Sequence, residues 1–122
     1  MTNEEKPKIR KVWLPTEMKT AVDQYCWEHR TKPSPFIAGL IQGFLDDPGQ
    51  YGGETVPPAG KDYASVYIRD SVWNAATEAA EKQGVRLSAV VRVAIARVLA
   101  EGNIPWDVTT ARPQNIRIPV RE

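Results

Sequence analysis

The chain has 122 residues, 42% of them hydrophobic, which suits one compact domain or two small intertwined ones. Sixteen Lys and Arg against fifteen Asp and Glu leave a net charge of +1, which excludes a polycation that coats nucleic acid along its whole surface. A single cysteine excludes an intrachain disulfide and favours a reducing compartment, and the apolar runs fall far short of the roughly 20 residues of a membrane span.

Residues 1–7 are polar, with no signal-peptide pattern, and are expected to be disordered, which points to a cytoplasmic protein. Lys6, Lys8, Arg10 and Lys11 then place four cations in six residues without an acid, either a DNA-backbone arm or a solvated tail. From Lys8 to Leu14 the chain alternates weakly, with Val12 and Leu14 on one face and Lys11 and Trp13 on the other, the mark of a short strand. Pro15 ends it, and Thr16 is a suitable N-cap. Met18, Ala21, Val22, Tyr25 and Cys26 have helical spacing between Glu17 and Arg30. Thr31-Lys32-Pro33 is a turn, and Ser34-Pro35 reads as an N-cap followed by an N1 proline. The next helix runs to about Asp46. Its Gly39 and Gly43 each cost ~1 kcal/mol relative to alanine, which either marks a close approach by another helix or by Trp106, or is plain weak design.

Residues 48–62 hold four glycines and three prolines without apolar periodicity and read as a linker. Tyr63 to Ile68 alternates again, with Ala64, Val66 and Ile68 on one face and Tyr63, Ser65 and Tyr67 on the other. Asp70 is a second candidate N-cap for a helix from Ser71 to Gln83, with Val72, Ala76 and Ala79 on its apolar face and Gly84 at its end. Ser88 opens the last helix, which stops at Gly102. In the tail, Ile116, Ile118 and Val120 alternate and could form an extra strand, which Pro119 restricts to an edge.

These elements repeat at a spacing of 54 residues. Val12-Trp13-Leu14 returns as Val66-Tyr67-Ile68, Ser34 as Ser88, and Phe36, Ile37, Leu40, Ile41, Phe44 and Leu45 as Val90, Val91, Ala94, Ile95, Val98 and Leu99. A unit of about 45 residues is marginal alone, so two copies sharing a core is the economical arrangement. The expected organisation is therefore a disordered 1–7, a first unit over 8–47, the linker 48–62, a second unit over 63–102 and a tail over 103–122.

A short strand, a helix, a tight turn and a Ser-led helix, found twice in register, resembles the ribbon-helix-helix family of DNA-binding proteins, that of the Arc and Met repressors. The resemblance covers residues 8–47 and 63–102. It implies a mainly α fold with a short two-stranded antiparallel ribbon, the two units forming an intramolecular pseudo-dimer. It further implies that the ribbon enters the major groove of double-stranded DNA. By the alternation of each strand, Lys11, Trp13, Ser65 and Tyr67 face outward and would be the base readers, although two exposed aromatics could equally pack against protein. The family's second contact, a phosphate at the start of the second helix, maps onto Ser34 and Ser88, with Lys32 and Arg86 two residues before each. Lys6 and Lys8 would add backbone contacts. Pro35 lacks an N–H, so Ser88 should be the better phosphate site, and Arg10 at an inward position should let the first strand fray. Because Lys11 and Ser65 differ, the recognised element should not be palindromic.

The leading expectation is a sequence-specific regulator, such as a transcriptional repressor or an organiser of a plasmid or phage DNA site, associated with the nucleoid. The alternative is an interaction adaptor such as an antitoxin, whose residues 103–122 bind a partner protein. Such a molecule would act as a single-chain pseudo-dimer or as a higher assembly on DNA. No catalytic motif is visible, so no enzyme is expected. Cys26 and His29 lack a second ligand pair, so neither metal nor other cofactor is expected.

Overall fold

A computed structural model describes residues 6–104 and 117–120. The order is β1 (Lys8–Leu14), α1 (Thr16–Glu28), α2 (Pro33–Asp46), β2 (Asp62–Ile68), α3 (Asp70–Lys82) and α4 (Leu87–Glu101), a mainly helical chain in which strand–helix–helix occurs twice. β1 and β2 pair antiparallel in one two-stranded sheet, with Lys8 opposite Ile68, Lys11 opposite Ser65 and Leu14 opposite Asp62. β2 thus takes in Asp62, one residue before the alternating run.

The period of two in each strand decides which face is buried. Val12, Leu14, Ala64, Val66 and Ile68 turn inward and are buried under the helices. Met18, Ala21, Val22 and Cys26 of α1 meet them, as do Ile37, Ile41 and Phe44 of α2 and Ala76 and Ala80 of α3. Burying a large aliphatic side chain contributes about 1.5–3 kcal/mol, so this shared core is the main term holding the two halves together.

The first turns of the helices depart from the sequence reading. Thr16, Asp70 and Ser34 lie within their helices, not before them, and the flanking Pro15, Arg69 and Lys32 make no side-chain cap bond. Ser88 likewise sits one residue inside α4, which Arg86 precedes. The first intrahelical acceptors are backbone carbonyls: Lys19 N–H donates to Pro15 at 2.9 Å and Trp73 N–H to Arg69 at 3.0 Å. Pro33 and Pro35 fit the first turn of α2, where N–H groups have no intrahelical acceptor to lose.

Three helices end alike. At the end of α3, Val85 N–H reaches the carbonyl of Ala80 and Gly84 N–H that of Glu81, with Gly84 at φ +78°. The same paired bonds close α1, with Arg30 in the left-handed position at φ 54°, and α4, with Asn103 at φ 55°.

The stretch between α2 and β2 is not a free connector. Tyr51 and Val56 are buried in the core, and side chains from the second half hold its backbone. Arg92 donates from Nε to the Pro57 carbonyl at 2.8 Å, Arg97 to the Gln50 carbonyl at 3.1 Å and to Glu54 at 2.8 Å, and Gln83 to the Pro48 carbonyl. The guanidinium of Arg97 also lies over the ring of Tyr51. This covering explains why α4 is buried nearly all round, from Leu87 through Ile95, while α2 keeps an open side. At Gly60 the chain passes so close to Leu14 and Pro15 that a Cβ would overlap their backbone atoms.

Among the described residues nothing lies within 4 Å of where a Cβ would stand at Gly39 or Gly43, so none of them requires these glycines by close approach. Trp106 and Ile116 lie outside the described residues. Residues 117–120 add no strand to the ribbon: Arg117 forms an isolated antiparallel bridge with Thr55, and Ile118 is buried, bonded through its backbone to Gly53 and Glu54. No helix among the described residues is long and apolar enough to cross a membrane.

Candidate nucleic-acid interface

The outward face of the ribbon carries Ile9, Lys11 and Trp13 from β1 and Tyr63, Ser65 and Tyr67 from β2. Ile9 stands opposite Tyr67, Lys11 opposite Ser65 and Trp13 opposite Tyr63. The apolar members are well exposed: Ile9 54%, Trp13 44%, Tyr63 38% and Tyr67 58%. The rings of Trp13 and Tyr63 meet edge to face at 5.3 Å, and the Lys11 ammonium sits 4.6 Å from the Tyr63 ring centroid. This packing organises one end of the face before any ligand arrives.

Lys11, Trp13, Ser65 and Tyr67 therefore share one surface, as their alternation requires. Ile9 and Tyr63 belong to the same surface and were not among the expected readers. Their signal was the same alternation, extended one step down each strand.

Charge is concentrated beside this face. Residues 6–14 and 61–70 hold Lys6, Lys8, Arg10, Lys11, Lys61 and Arg69 against only Asp62 and Asp70. That is six of the sixteen cations with two of the fifteen acids, which leaves ten against thirteen elsewhere. Both acids are engaged locally. Asp62 accepts the N–H of Tyr63 at 2.9 Å. Asp70 accepts from Lys8 and from Arg10, each at 2.9 Å, and these bonds hold its carboxyl below the usual 3.8. Arg10 also lies over the ring of Trp73 at 5.4 Å. Anchored in this way, Arg10 does not fray β1, which stays paired back to Lys8.

The remaining expected phosphate contacts lie at helix starts. Ser34 accepts the N–H of Tyr67 on its Oγ at 2.8 Å, which ties the beginning of α2 to the ribbon and satisfies a strand-edge donor. Lys32 directly precedes α2 and Arg86 directly precedes α4, both exposed, with Ser88 half-buried in the first turn. Lys6 is exposed, and Lys8 is exposed but committed to Asp70. Arg92, which sequence reasoning passed over, is 8% exposed and reaches toward the Trp13 carbonyl at 3.5 Å as well as to Pro57, so it supports the ribbon from beneath.

Cys26 is buried, and burial pushes its thiol above its ordinary range, with Asp23 adding to the effect. The ring of His29 stacks on Tyr25 at 4.0 Å. Among the described residues no three potential ligands cluster.

Residues 62–119 match the family model of the RelB antitoxin. The match opens on the first residue of β2 and runs through α3 and α4 into the C-terminal segment, just under half of the chain. No curated protein and no solved structure matches the chain. The likeness supports an antitoxin or DNA-binding regulatory role, and it favours the antitoxin reading at least as well as that of a stand-alone repressor.

Proposed function

We propose that this chain is an antitoxin-type regulator that lays its ribbon in the major groove of double-stranded DNA and holds a partner protein through residues 103–122. The observation that carries the reading is the match of residues 62–119 to the RelB antitoxin, which extends beyond the last helix into that C-terminal segment. The cation-rich ribbon carries the DNA half of it, because a polyanion is drawn to a face where six cations stand against two acids on a nearly neutral chain.

In this reading the two strand–helix–helix units act as an intramolecular ribbon-helix-helix pseudo-dimer. Lys11, Trp13, Ser65 and Tyr67 meet base edges. Lys6, Lys8, Lys32, Ser34, Arg86 and Ser88 meet phosphates. Lys32 and Arg86 add charge where the positive ends of α2 and α4 already favour an anion. The role is one of binding, with no catalytic step and no cofactor.

Two assays test the halves separately. Co-expression with the product of the neighbouring gene should relieve growth arrest for the full chain and not for a chain ending at residue 102. A gel shift on the gene's own upstream DNA should show binding that weakens steeply with salt. Rescue by the shortened chain would contradict the partner assignment, and salt-insensitive binding would contradict the DNA assignment.

A further inference from the structure

The outer ribbon face has an unusual order of chemistry for a surface that reads bases. Its one polar pair, Lys11 and Ser65, is central, and an apolar or aromatic pair lies on each side: Ile9 with Tyr67, and Trp13 with Tyr63. Lys11 and Ser65 are also 54 positions apart, so the residues that the repeat relates are the ones that face each other. The axis relating the two strands therefore passes through that pair, and the flanks on its two sides are unlike.

The major groove offers few partners for such a face. Thymine's C5-methyl is the apolar group that base pairs display there, while guanine displays two acceptors, O6 and N7, that a lysine ammonium can reach. On this basis, and resting on the DNA reading above, we infer that the chain selects a short asymmetric element with a guanine at its centre and thymines on both sides. Lys11 reads the guanine. Ile9 and Tyr67 cover thymine methyls on one flank, Trp13 and Tyr63 on the other.

Geometry sets the size. Successive outward residues on a strand are roughly 6.8 Å apart, about two base-pair steps, so three of them span about five base pairs. The flanks also differ in freedom. Ile9 and Tyr67 are the more exposed pair, whereas Trp13 and Tyr63 are locked edge to face with Lys11 over Tyr63. Lys11 is thereby drawn to the Trp13 side and approaches the central guanine from that flank.

The test is selection of duplexes from a random library by the full chain, followed by resynthesis of the selected site with single-atom changes. Replacing one flanking thymidine by deoxyuridine removes only a methyl and should weaken binding about three- to fourfold. Replacing the central guanine by 7-deazaguanine removes N7 and should weaken it on the order of tenfold. Selected sites without flanking thymines, or deoxyuridine duplexes bound as tightly as the parent, would overturn the base assignment while leaving duplex binding intact. Failure to hold any duplex more tightly than a single strand of the same sequence would overturn the DNA reading and the base assignment with it.

Discussion

Asp70 and Gly60 show how single residues fix the ribbon. Asp70 joins the start of α3 to β1 through Lys8 and Arg10, and its lowered carboxyl pKa makes the contribution pH-dependent. Because the folded value lies below the ordinary 3.8, the stabilisation is present above that value and is lost as pH falls through the lower, folded one. Asp70→Asn should therefore be less stable than the parent near neutrality in urea melts, with the difference shrinking to nothing in acid. The same variant releases Lys8 and Arg10 and should bind duplex DNA with a steeper salt dependence; an unchanged slope would mean that these cations lie away from the phosphates. Gly60 acts through space alone. Gly60→Ala forces the backbone away from Leu14 and Pro15 and should cost about 1–3 kcal/mol, read as a lowered denaturation midpoint. A change under about 0.5 kcal/mol, the range of an unconstrained surface site, would contradict that close approach.

At the scale of elements, the two helices that the repeat relates differ in how far the described residues cover them. α4 lies beneath Tyr51, Val56 and the backbone that Arg92 and Arg97 hold, while α2 leaves Gly39 and Gly43 facing open space. Alanine at either glycine meets no atom of the described residues within 4 Å and gains helix propensity, so Gly39→Ala and Gly43→Ala should each stabilise the protein by about 1 kcal/mol in thermal or urea melts. Destabilisation by either would reveal packing on that face. The strands were legible in the sequence because alternation of Val12, Leu14, Val66 and Ile68 against Lys11, Trp13, Ser65 and Tyr67 is a local signal. The packing of residues 48–61 was not, because Tyr51 and Val56 are isolated among glycines and prolines and carry no period. The partners of Arg92, Asp70 and Ser34 lie 35, 60 and 33 positions away, and no local rule points to them. Asp70 therefore read as a helix cap, Ser34 as a cap and phosphate contact, and Arg92 gave no signal. Ile9 and Tyr63 were legible in principle, by carrying the same alternation to the strand ends.

For the whole molecule, β1 pairs with β2 inside one chain, so in the proposed pseudo-dimer a covalent connection stands where two chains would otherwise associate. The chain should therefore run as a single 13.6 kDa species in light scattering at micromolar concentration, whereas a species of twice that mass would indicate exchange of halves between chains. The closed ribbon also gives the two strands independent sequences, so Lys11 can face Ser65 and the surface can be asymmetric where two identical chains would impose symmetry. The most direct test of the account is backbone NMR of the full chain titrated with its upstream duplex. Residues 8–14 and 62–68 and the first turns of α2 and α4 should shift together, while the region around the exposed Trp27 on α1 stays unmoved. Shifts centred on Trp27 or on the open face of α2, with the ribbon unchanged, would contradict it.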